Sequence, residues 1–471
     1  MAIPERTRSR VKMLLWLLIV YIACGLAGVR LEAQARAAEA GSPAQRKVVV
    51  ISVDGLPWPT LRDAEQLGIK IPNLLEMHNG GAVAAGMVGV FPSITFPSHT
   101  AMMTGQSPAV NGVWANTLFD PEGRMNGARY WYAELIRVPA LWDVARAAGL
   151  RTAAVSWPVT IGAAIDFNFP EHRLSWSVED VMLQRVIATP GLMAQFEKEH
   201  GRLQAGTPDD VLRTRQAAFL LRTKRPDLLL VHLIDVDHVE HAYGPDSPQA
   251  LQTLEKTDEY IGLLRRDART AGLDGSTVWV IVSDHGFLPH RRSLDPAAVL
   301  ASVGLGAKPE QGGWRVAVHN TSASFALITK DPDDREAQDL ALHTFLRLKE
   351  EGRWGIGRVF DRAALKEMKT FPEAFMAVSM APGYAVGKSS GGAWLTEQAR
   401  PGGAHGHAPG PEGLESVFVA FGPSIARASL PRGRLQDVAP TVAGILGVRM
   451  PAGIEGRDLL AKAPEPRPAA R

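Results

Sequence analysis

Five apolar segments most constrain what this chain can fold into. They cover residues 47–53, 152–157, 227–234, 277–283 and 416–421. Several are apolar at nearly every position, and continuous apolarity indicates a strand that is covered on both faces. Helical patterns lie between them, at residues 139–148, 208–221, 248–269 and 435–446. This alternation predicts the α/β class, with a central, mostly parallel sheet and helices on both faces.

Residues 306–394 interrupt that alternation. They contain a strand-like segment near 314–318, a charged helical pattern near 334–350 and a glycine-rich end. We expect a small inserted subdomain here, beside the mouth of the site described below, and one core formed by residues 45–305 and 395–460. Residues 461–471 are rich in proline, alanine and arginine, a composition typical of a disordered tail.

The N-terminus resembles an export signal. Four cations, at Arg6, Arg8, Arg10 and Lys12, precede an apolar run at residues 13–29, and small residues follow. Residues 1–40 are therefore predicted to be a signal peptide or an N-terminal anchor, and the protein is predicted to be periplasmic or secreted. Membrane contact is expected only if the run is not cleaved, and a lipid-modified Cys24 is the other alternative. Cys24 is the only cysteine, so the mature chain would contain no disulfide.

Three aspartates follow three of the apolar segments. Asp54 directly follows the first segment, Asp237 comes shortly after the third, and Asp284 directly follows the fourth. One such aspartate is commonly a turn or cap residue. Three of them at the carboxyl edge of one parallel sheet, where ligands bind, would concentrate negative charge. The set therefore predicts bound cations.

Histidines accompany these aspartates. His241 lies one helical turn after Asp237, and His285 is adjacent to Asp284. His405 lies in a glycine-rich loop, where a lone histidine is ordinarily a solvated surface residue. Three carboxylates and three imidazoles suit zinc. Competing ligands are His407 in the loop and, near Asp237, Asp235 and His238.

Thr95 begins the motif TFPSH at residues 95–99. Pro97 fits a first helical turn and Gly105 fits a helix end, so Thr95 is predicted to stand at a helix N-terminus. The free N–H groups and the positive dipole end there suit a phosphate oxygen. The alternative is that Thr95 only caps the helix.

Together these motifs resemble the alkaline phosphatase superfamily, specifically its nucleotide pyrophosphatase/phosphodiesterase branch. The matching pieces, in the family's order, are Val53-Asp54-Gly55, the TFPSH motif with Thr104-Gly105, Asn116, residues 237–245, Ser283-Asp284-His285-Gly286 and His405-Gly406. They span most of the chain after the export segment. Two positions depart from the pattern: Ser98, where many relatives carry asparagine, and His407, where relatives often carry an aromatic residue.

The resemblance implies two zinc ions. One would be held by Asp237, His241 and His405, and the other by Asp54, Asp284 and His285 together with Thr95. Asn116 would donate a hydrogen bond to a phosphoryl oxygen, and the Phe96 N–H would hold developing charge as well. The implied activity is hydrolysis of phosphoric esters through a phospho-threonine intermediate, by a phosphodiesterase or nucleotide pyrophosphatase.

The expected substrate is a small phosphodiester, nucleotide-like or other. The formal net charge of +2 gives no basic field for polymeric nucleic acid. Threonine-using monoesterases of the superfamily carry a Lys/Arg pair after the strand that corresponds to 152–157, whereas here Trp157 and Pro158 stand there. Trp157 would offer a stacking surface or pack in the core. The alternatives are a phosphomonoesterase of the same superfamily and a non-catalytic phosphate-binding relative.

Overall fold

The computed structural model describes residues 46–172, 178–204, 209–306, 313–388, 392–411 and 413–461. The predicted export segment and residues 462–471 of the predicted tail lie outside this part of the chain. Among the described residues, no helix is both long enough and apolar enough to cross a membrane.

The described part of the chain alternates strands and helices. In chain order, the strands are β1 (Lys47–Val53), β2 (Ala82–Ala84), β3 (Met87–Val88), β4 (Thr152–Val155), β5 (Phe167–Phe169), β6 (Leu228–Leu233), β7 (Thr277–Val282), β8 (Leu288–Leu294), β9 (Val316–Asn320), β10 (Ser324–Thr329), β11 (Ile356–Asp361), β12 (Met376–Met380), β13 (Gly383–Val386), β14 (Leu395–Ala404), β15 (Phe418–Phe421), β16 (Ala428–Leu430) and β17 (Gly433–Arg434). The helices are α1 (Trp58–Arg62), α2 (Ala64–Leu67), α3 (Pro72–Gly80), α4 (Thr95–Thr104), α5 (Pro108–Asn111), α6 (Leu141–Ala147), α7 (Val178–Ile187), α8 (Leu192–His200), α9 (Asp209–Thr223), α10 (Asp235–Tyr243), α11 (Pro248–Thr270), α12 (Pro296–Ser302), α13 (Arg335–Glu350), α14 (Arg362–Glu367) and α15 (Val438–Leu446). Short 3-10 turns lie at Ala133–Leu135, Asp274–Ser276 and Leu435–Asp437.

An eight-stranded sheet forms the centre of the fold, in the order β16-β2-β15-β7-β1-β6-β4-β5. β1 lies between β6 and β7 and is parallel to both, with Val50 opposite Leu230 and Val280. β15 is antiparallel to both of its neighbours. The prediction of a mostly parallel sheet is therefore confirmed, with β15 running against the other strands.

Alternate residues of the central strands enter two separate cores. Ile51 packs in one core with helices α3, α9 and α11, whereas Val50 packs in the other with α4, α6 and α15. Both faces of the sheet are thus covered by helices, which is why these strands are apolar at nearly every position. This arrangement leaves the carboxyl ends of the parallel strands as the edge where polar side chains gather.

A second, four-stranded antiparallel sheet has the order β11-β12-β10-β9. The predicted strand near 314–318 is β9, and the predicted charged helix is α13, whose N-cap is Asp334. One apolar cluster joins Phe360 of this sheet to Phe96 in α4 and to Phe91, which precedes that helix. β13 and β14 also pair with β8, which precedes residue 306. The exact bounds of an inserted subdomain remain a prediction.

Candidate active site

Asp237, His241 and His405 form the first group of converging donor atoms. Asp237 and His241 share one face of α10, which begins just after β6. Asp237 Oδ1 lies 3.5 Å from His241 Nε2 and 3.7 Å from His405 Nε2. His405 comes from the loop that follows β14. Residues distant in sequence are therefore brought together at the carboxyl end of the central sheet.

Asp54, Asp284 and His285 form the second group. Asp54 follows β1 and Asp284 follows the neighbouring strand β7. His285 Nε2 lies 3.3 Å from Asp54 Oδ1 and 3.1 Å from Asp284 Oδ2. The rings of His285 and His405 stack with their centroids 3.6 Å apart, so the two groups are adjacent.

The tautomers of the first group direct lone pairs at each other. His405 Nδ1 lies 3.0 Å from the Ser93 carbonyl oxygen, and His241 Nδ1 lies 3.3 Å from the Gly403 carbonyl oxygen. Each Nδ1 can therefore donate its hydrogen to a carbonyl, which leaves both Nε2 atoms as acceptors. These two Nε2 atoms are only 3.2 Å apart. A cation between them would turn this repulsive contact into coordination.

The two donor groups bring together buried carboxylates whose negative charge a bound cation would balance. Burial and repulsion by Asp237 raise the pKa of Asp54 well above the ordinary range, and burial and repulsion by Asp54 do the same for the pKa of Asp284. Within the described residues, Asp54 Oδ1, Asp237 Oδ1, Asp284 Oδ2 and both ring nitrogens of His285 are buried without a hydrogen-bond partner. Carboxylate oxygens and neutral imidazole nitrogens in this number fit divalent cations such as zinc.

His405 and His285 favour the neutral form that binds metals. Burial and the neighbouring His241 lower the pKa of His405 to about 4. Burial, His405 and His241 lower the pKa of His285 well below its ordinary value. Both rings are therefore uncharged at neutral pH, as a metal ligand requires.

Thr95 is the first residue of α4 and is 9% exposed. The N-cap is Ile94, and no side chain caps the helix. The alternative that Thr95 is only a cap is therefore wrong. Gly105 ends the helix with φ 67°, as predicted from the sequence. The Thr95 carbonyl oxygen lies 2.8 Å from His99 Nδ1, which is also 3.6 Å from Asp284 Oδ2. His99 thus joins the start of α4 to the second group.

Asn116 is fixed beside Thr95 by a backbone contact. Its Oδ1 accepts a hydrogen bond of 2.8 Å from the Phe96 N–H. Because an N–H can face only the oxygen of the amide, the Asn116 Nδ2 points away from this contact. In this structure the Phe96 N–H is therefore engaged by the Asn116 amide, and its role in holding developing charge stays a prediction. That N–H orients the Asn116 amide.

The competing ligands lie elsewhere. His407 is 1% exposed and joins neither group. Asp235 and His238 form a separate group with Asp209. Asp235 and His238 also line a surface cavity of about 520 Å³. Trp157 is fully buried and packs in the core, edge to face with His99. It therefore offers no surface to a ligand.

Sequence reasoning missed three residues that support the site. His232, in β6, contacts Asp54, and Glu171 and Arg213 lie behind it. The available signal was a histidine inside a strand that is otherwise apolar at every position. Glu171 and Arg213 gave no comparable signal, because their contacts depend on tertiary packing.

Comparison with known proteins gives a consistent family. The family model described as type I phosphodiesterase / nucleotide pyrophosphatase matches residues 48–408. An uncharacterized pyrophosphatase/phosphodiesterase of Schizosaccharomyces pombe is 27% identical over 52% of this chain and 45% of its own length. Human ectonucleotide pyrophosphatase/phosphodiesterase family member 1 is 24% identical over 46% of this chain and 21% of its own length. These alignments thus span less than half of each relative.

Solved structures show the same fold. Human ectonucleotide pyrophosphatase/phosphodiesterase 5 matches with a TM-score of 0.64 and 19% identity, over 86% of this chain and 96% of that one. The murine protein matches with a TM-score of 0.62 and 18% identity over the same shares, in a structure described as an inactive threonine-to-alanine variant in complex with AMP. The predicted fold, an alkaline-phosphatase-like core, is confirmed.

Proposed function

The chain belongs to the type I phosphodiesterase / nucleotide pyrophosphatase family, and from this we propose that it is a two-zinc hydrolase of phosphoric esters with Thr95 as nucleophile. The observation that carries the proposal is the pair of adjacent donor groups beside the N-terminus of α4. The six proposed ligands are Asp237, His241 and His405 for one ion, and Asp54, Asp284 and His285 for the other.

The proposed reaction has two displacements. Two zinc ions, when bound, would supply the positive charge that activates a hydroxyl group without a general base and stabilises a departing oxygen. Thr95 Oγ1 attacks phosphorus in line and forms a phospho-threonine ester while the alcohol leaves. Water then hydrolyses this ester and regenerates the Thr95 hydroxyl. The Asn116 Nδ2 donates to a phosphoryl oxygen, and the positive end of the α4 dipole faces the same charge.

We propose a small-molecule phosphodiester as the substrate, nucleotide-like or other, and an exported location for the enzyme. The description of the family supports the proposed substrate class. The name of the human relative, an ectonucleotide pyrophosphatase/phosphodiesterase, supports the proposed exported location. Membrane contact would depend on the segment at residues 13–29, which lies outside the described residues.

Substitution of Thr95 tests the proposal directly. Thr95→Val should abolish turnover of bis(p-nitrophenyl) phosphate and leave the metal content near two zinc ions per chain, because it removes the attacking oxygen and keeps the side-chain volume. Thr95→Ser should retain measurable activity. Metal analysis and turnover should be measured on the same samples, with circular dichroism as the folding control. Normal turnover by the valine variant would contradict the covalent mechanism.

A further inference from the structure

His232 lies between two buried carboxylates. It stands in the middle of β6, fully buried, with Nε2 2.9 Å from Asp54 Oδ2. Its Nδ1 lies 3.1 Å from the Ser156 carbonyl oxygen and 3.3 Å from Glu171 Oε2. Nε2 therefore faces an oxygen that can only accept a hydrogen bond, whereas Nδ1 faces two such oxygens and also the Arg213 Nη1 donor at 3.5 Å. The ring bridges the end of β1 and the segment that follows β5.

The Nε2 contact decides how Asp54 presents its oxygens. A hydrogen bond from His232 occupies Oδ2, and the other oxygen, Oδ1, faces His285 Nε2 at 3.3 Å. Oδ1 is buried without another hydrogen-bond partner among the described residues. Without the His232 contact, Asp54 would be free to rotate and exchange its two oxygens. The contact therefore fixes which oxygen points into the second donor group.

His232 is itself held from behind. Arg213, on α9, donates from Nη1 to the His232 carbonyl oxygen over 3.0 Å. Burial alone would raise the pKa of Glu171, but His232 and Arg213 outweigh it, and the pKa is lowered. The carboxylate of Glu171 is therefore held beside the ring in its ionised form. Both Arg213 and Glu171 are less than a tenth exposed, so solvent screens these contacts little.

We propose that His232, supported by Glu171, is a positioning residue that orients Asp54 for the cation of the second donor group. The inference rests on the proposed two-metal function. It predicts that losing the Nε2 donor weakens one of the two cation sites and spares the other. Partners that orient metal ligands are typically worth roughly 10- to 100-fold in metal affinity or activity.

Two amide substitutions form the matched test. The side-chain nitrogen of glutamine extends about as far as histidine Nε2, whereas that of asparagine reaches only to the position of Nδ1. His232→Gln should therefore keep the hydrogen bond to Asp54, and His232→Asn should lose it. His319→Gln is the control, because His319 is another buried histidine and contacts Thr117 rather than the donor groups.

The measurement is a Co²⁺ titration of the metal-free proteins, followed by the visible absorption of the bound ion and by competition with a chelator. We expect one of the two affinities to fall roughly 10- to 100-fold in His232→Asn, and to remain near the wild-type value in His232→Gln and in the control. Glu171→Gln should weaken the same site to a smaller extent. The zinc concentration needed for half-maximal activity should shift in the same order.

The outcomes separate the two proposals. A wild-type protein that binds no Co²⁺ would contradict the proposed function itself. A wild-type protein that binds two ions, together with a folded His232→Asn variant of unchanged affinity, would contradict only the positioning role. If His232→Asn does not fold, Glu171→Gln decides, because it leaves the ring in place and removes only the charge behind it. Unchanged affinity in Glu171→Gln would then overturn the inference.

Discussion

Two histidines in one loop have different surroundings, and substitutions should separate them. His405 directs Nε2 at Asp237 and His241, whereas both ring nitrogens of the buried His407 lack a hydrogen-bond partner among the described residues. We expect His405→Ala to reduce kcat/KM by more than the roughly 10- to 100-fold typical of residues that only support a ligand.

His407→Leu should retain the metal and most activity, and its free energy of unfolding should be unchanged or higher, because it removes unsatisfied polar atoms. Zinc analysis, kinetics and urea unfolding of both variants provide the measurement. A larger loss of metal in the His407 variant would mean that the loop presents the other histidine.

His319 should make the protein sensitive to mild acid. Burial lowers its pKa to about 4, against about 6.5 in an unfolded chain. The unfolded state therefore binds more protons between these values, so the stabilising contribution of the neutral ring is complete above pH 6.5 and is lost as the pH falls toward 4. The expected cost from this residue alone is about 2 kcal/mol between pH 7 and pH 5.

The measurement is urea unfolding of the metal-free protein at several pH values, for the wild type and for His319→Phe. The variant should lose less stability than the wild type between pH 7 and pH 5. Parallel pH profiles for the two proteins would show that the ring does not titrate as the burial implies.

The sequence allowed most donor residues to be placed, for a physical reason. Asp54 and Asp284 each follow an apolar strand directly, and His241 is one helical turn from Asp237, so local spacing is enough. The pattern of the glycine-rich loop left His405 and His407 as alternatives, because long-range packing decides the directions of both side chains, and only the family resemblance favoured His405. The contact between Asn116 and the Phe96 N–H could not be predicted, because it depends on how a distant loop returns to α4.

Among the elements, the approach of β14 to α10 controls the first donor group. A Cβ atom at Gly403 would overlap the Glu240 carbonyl oxygen of α10 and the ring of Phe287. Gly403→Ala should therefore push β14 away, separate His405 from His241, and cost about 1–3 kcal/mol of stability.

The expected readout is weaker metal binding at one site, measured by chelator competition, together with a lower Tm. Gly275→Ala is the matched control, because the space around a Cβ atom there is open and its backbone is not in the left-handed region. If the Gly403 variant binds metal with wild-type affinity, the close approach of β14 to α10 is not needed for the first donor group.

The predicted strands and helices agree with the structure where the apolar pattern runs over many residues. They differ from it where a strand pairs with its neighbour over only a few residues. The segment predicted at 152–157 ends as a strand at Val155, because Ser156 has φ 50°, in the left-handed region. The antiparallel direction of β15 could not be predicted, since an apolar segment has the same composition in either direction. β3 and β17 have two residues each, too few for any periodicity.

At the scale of the whole molecule, the net charge of the proposed two-zinc site predicts whether phosphate diesters or monoesters are the better substrates. Two zinc ions, three aspartates and one ionised threonine would carry no net formal charge, so a singly charged diester is better matched than a doubly charged monoester. A cation lies beside the first turn of α4: the Arg129 guanidinium is 5.9 Å from the centre of the Phe96 ring and 5.6 Å from that of Trp131. We expect kcat/KM to be higher for aryl diesters than for aryl monoesters.

Arg129→Met should lower kcat/KM for monoesters more than for diesters, because a dianion is attracted more strongly by this charge. The test is a paired comparison of p-nitrophenyl phosphate and its diester under one set of conditions. A monoester advantage of tenfold or more in the wild type, about 1.4 kcal/mol of transition-state preference, would favour the monoesterase alternative instead.

The donor atoms come from positions scattered between Asp54 and His405, and this affects how the protein acquires its metal. An unfolded chain offers a cation only local pairs, such as Asp237 with His241, and these bind far more weakly than an assembled site. A chain that is exported unfolded would therefore arrive without zinc and take it up where it folds. The metal supply of that compartment, rather than that of the cytosol, would then set the fraction of active enzyme.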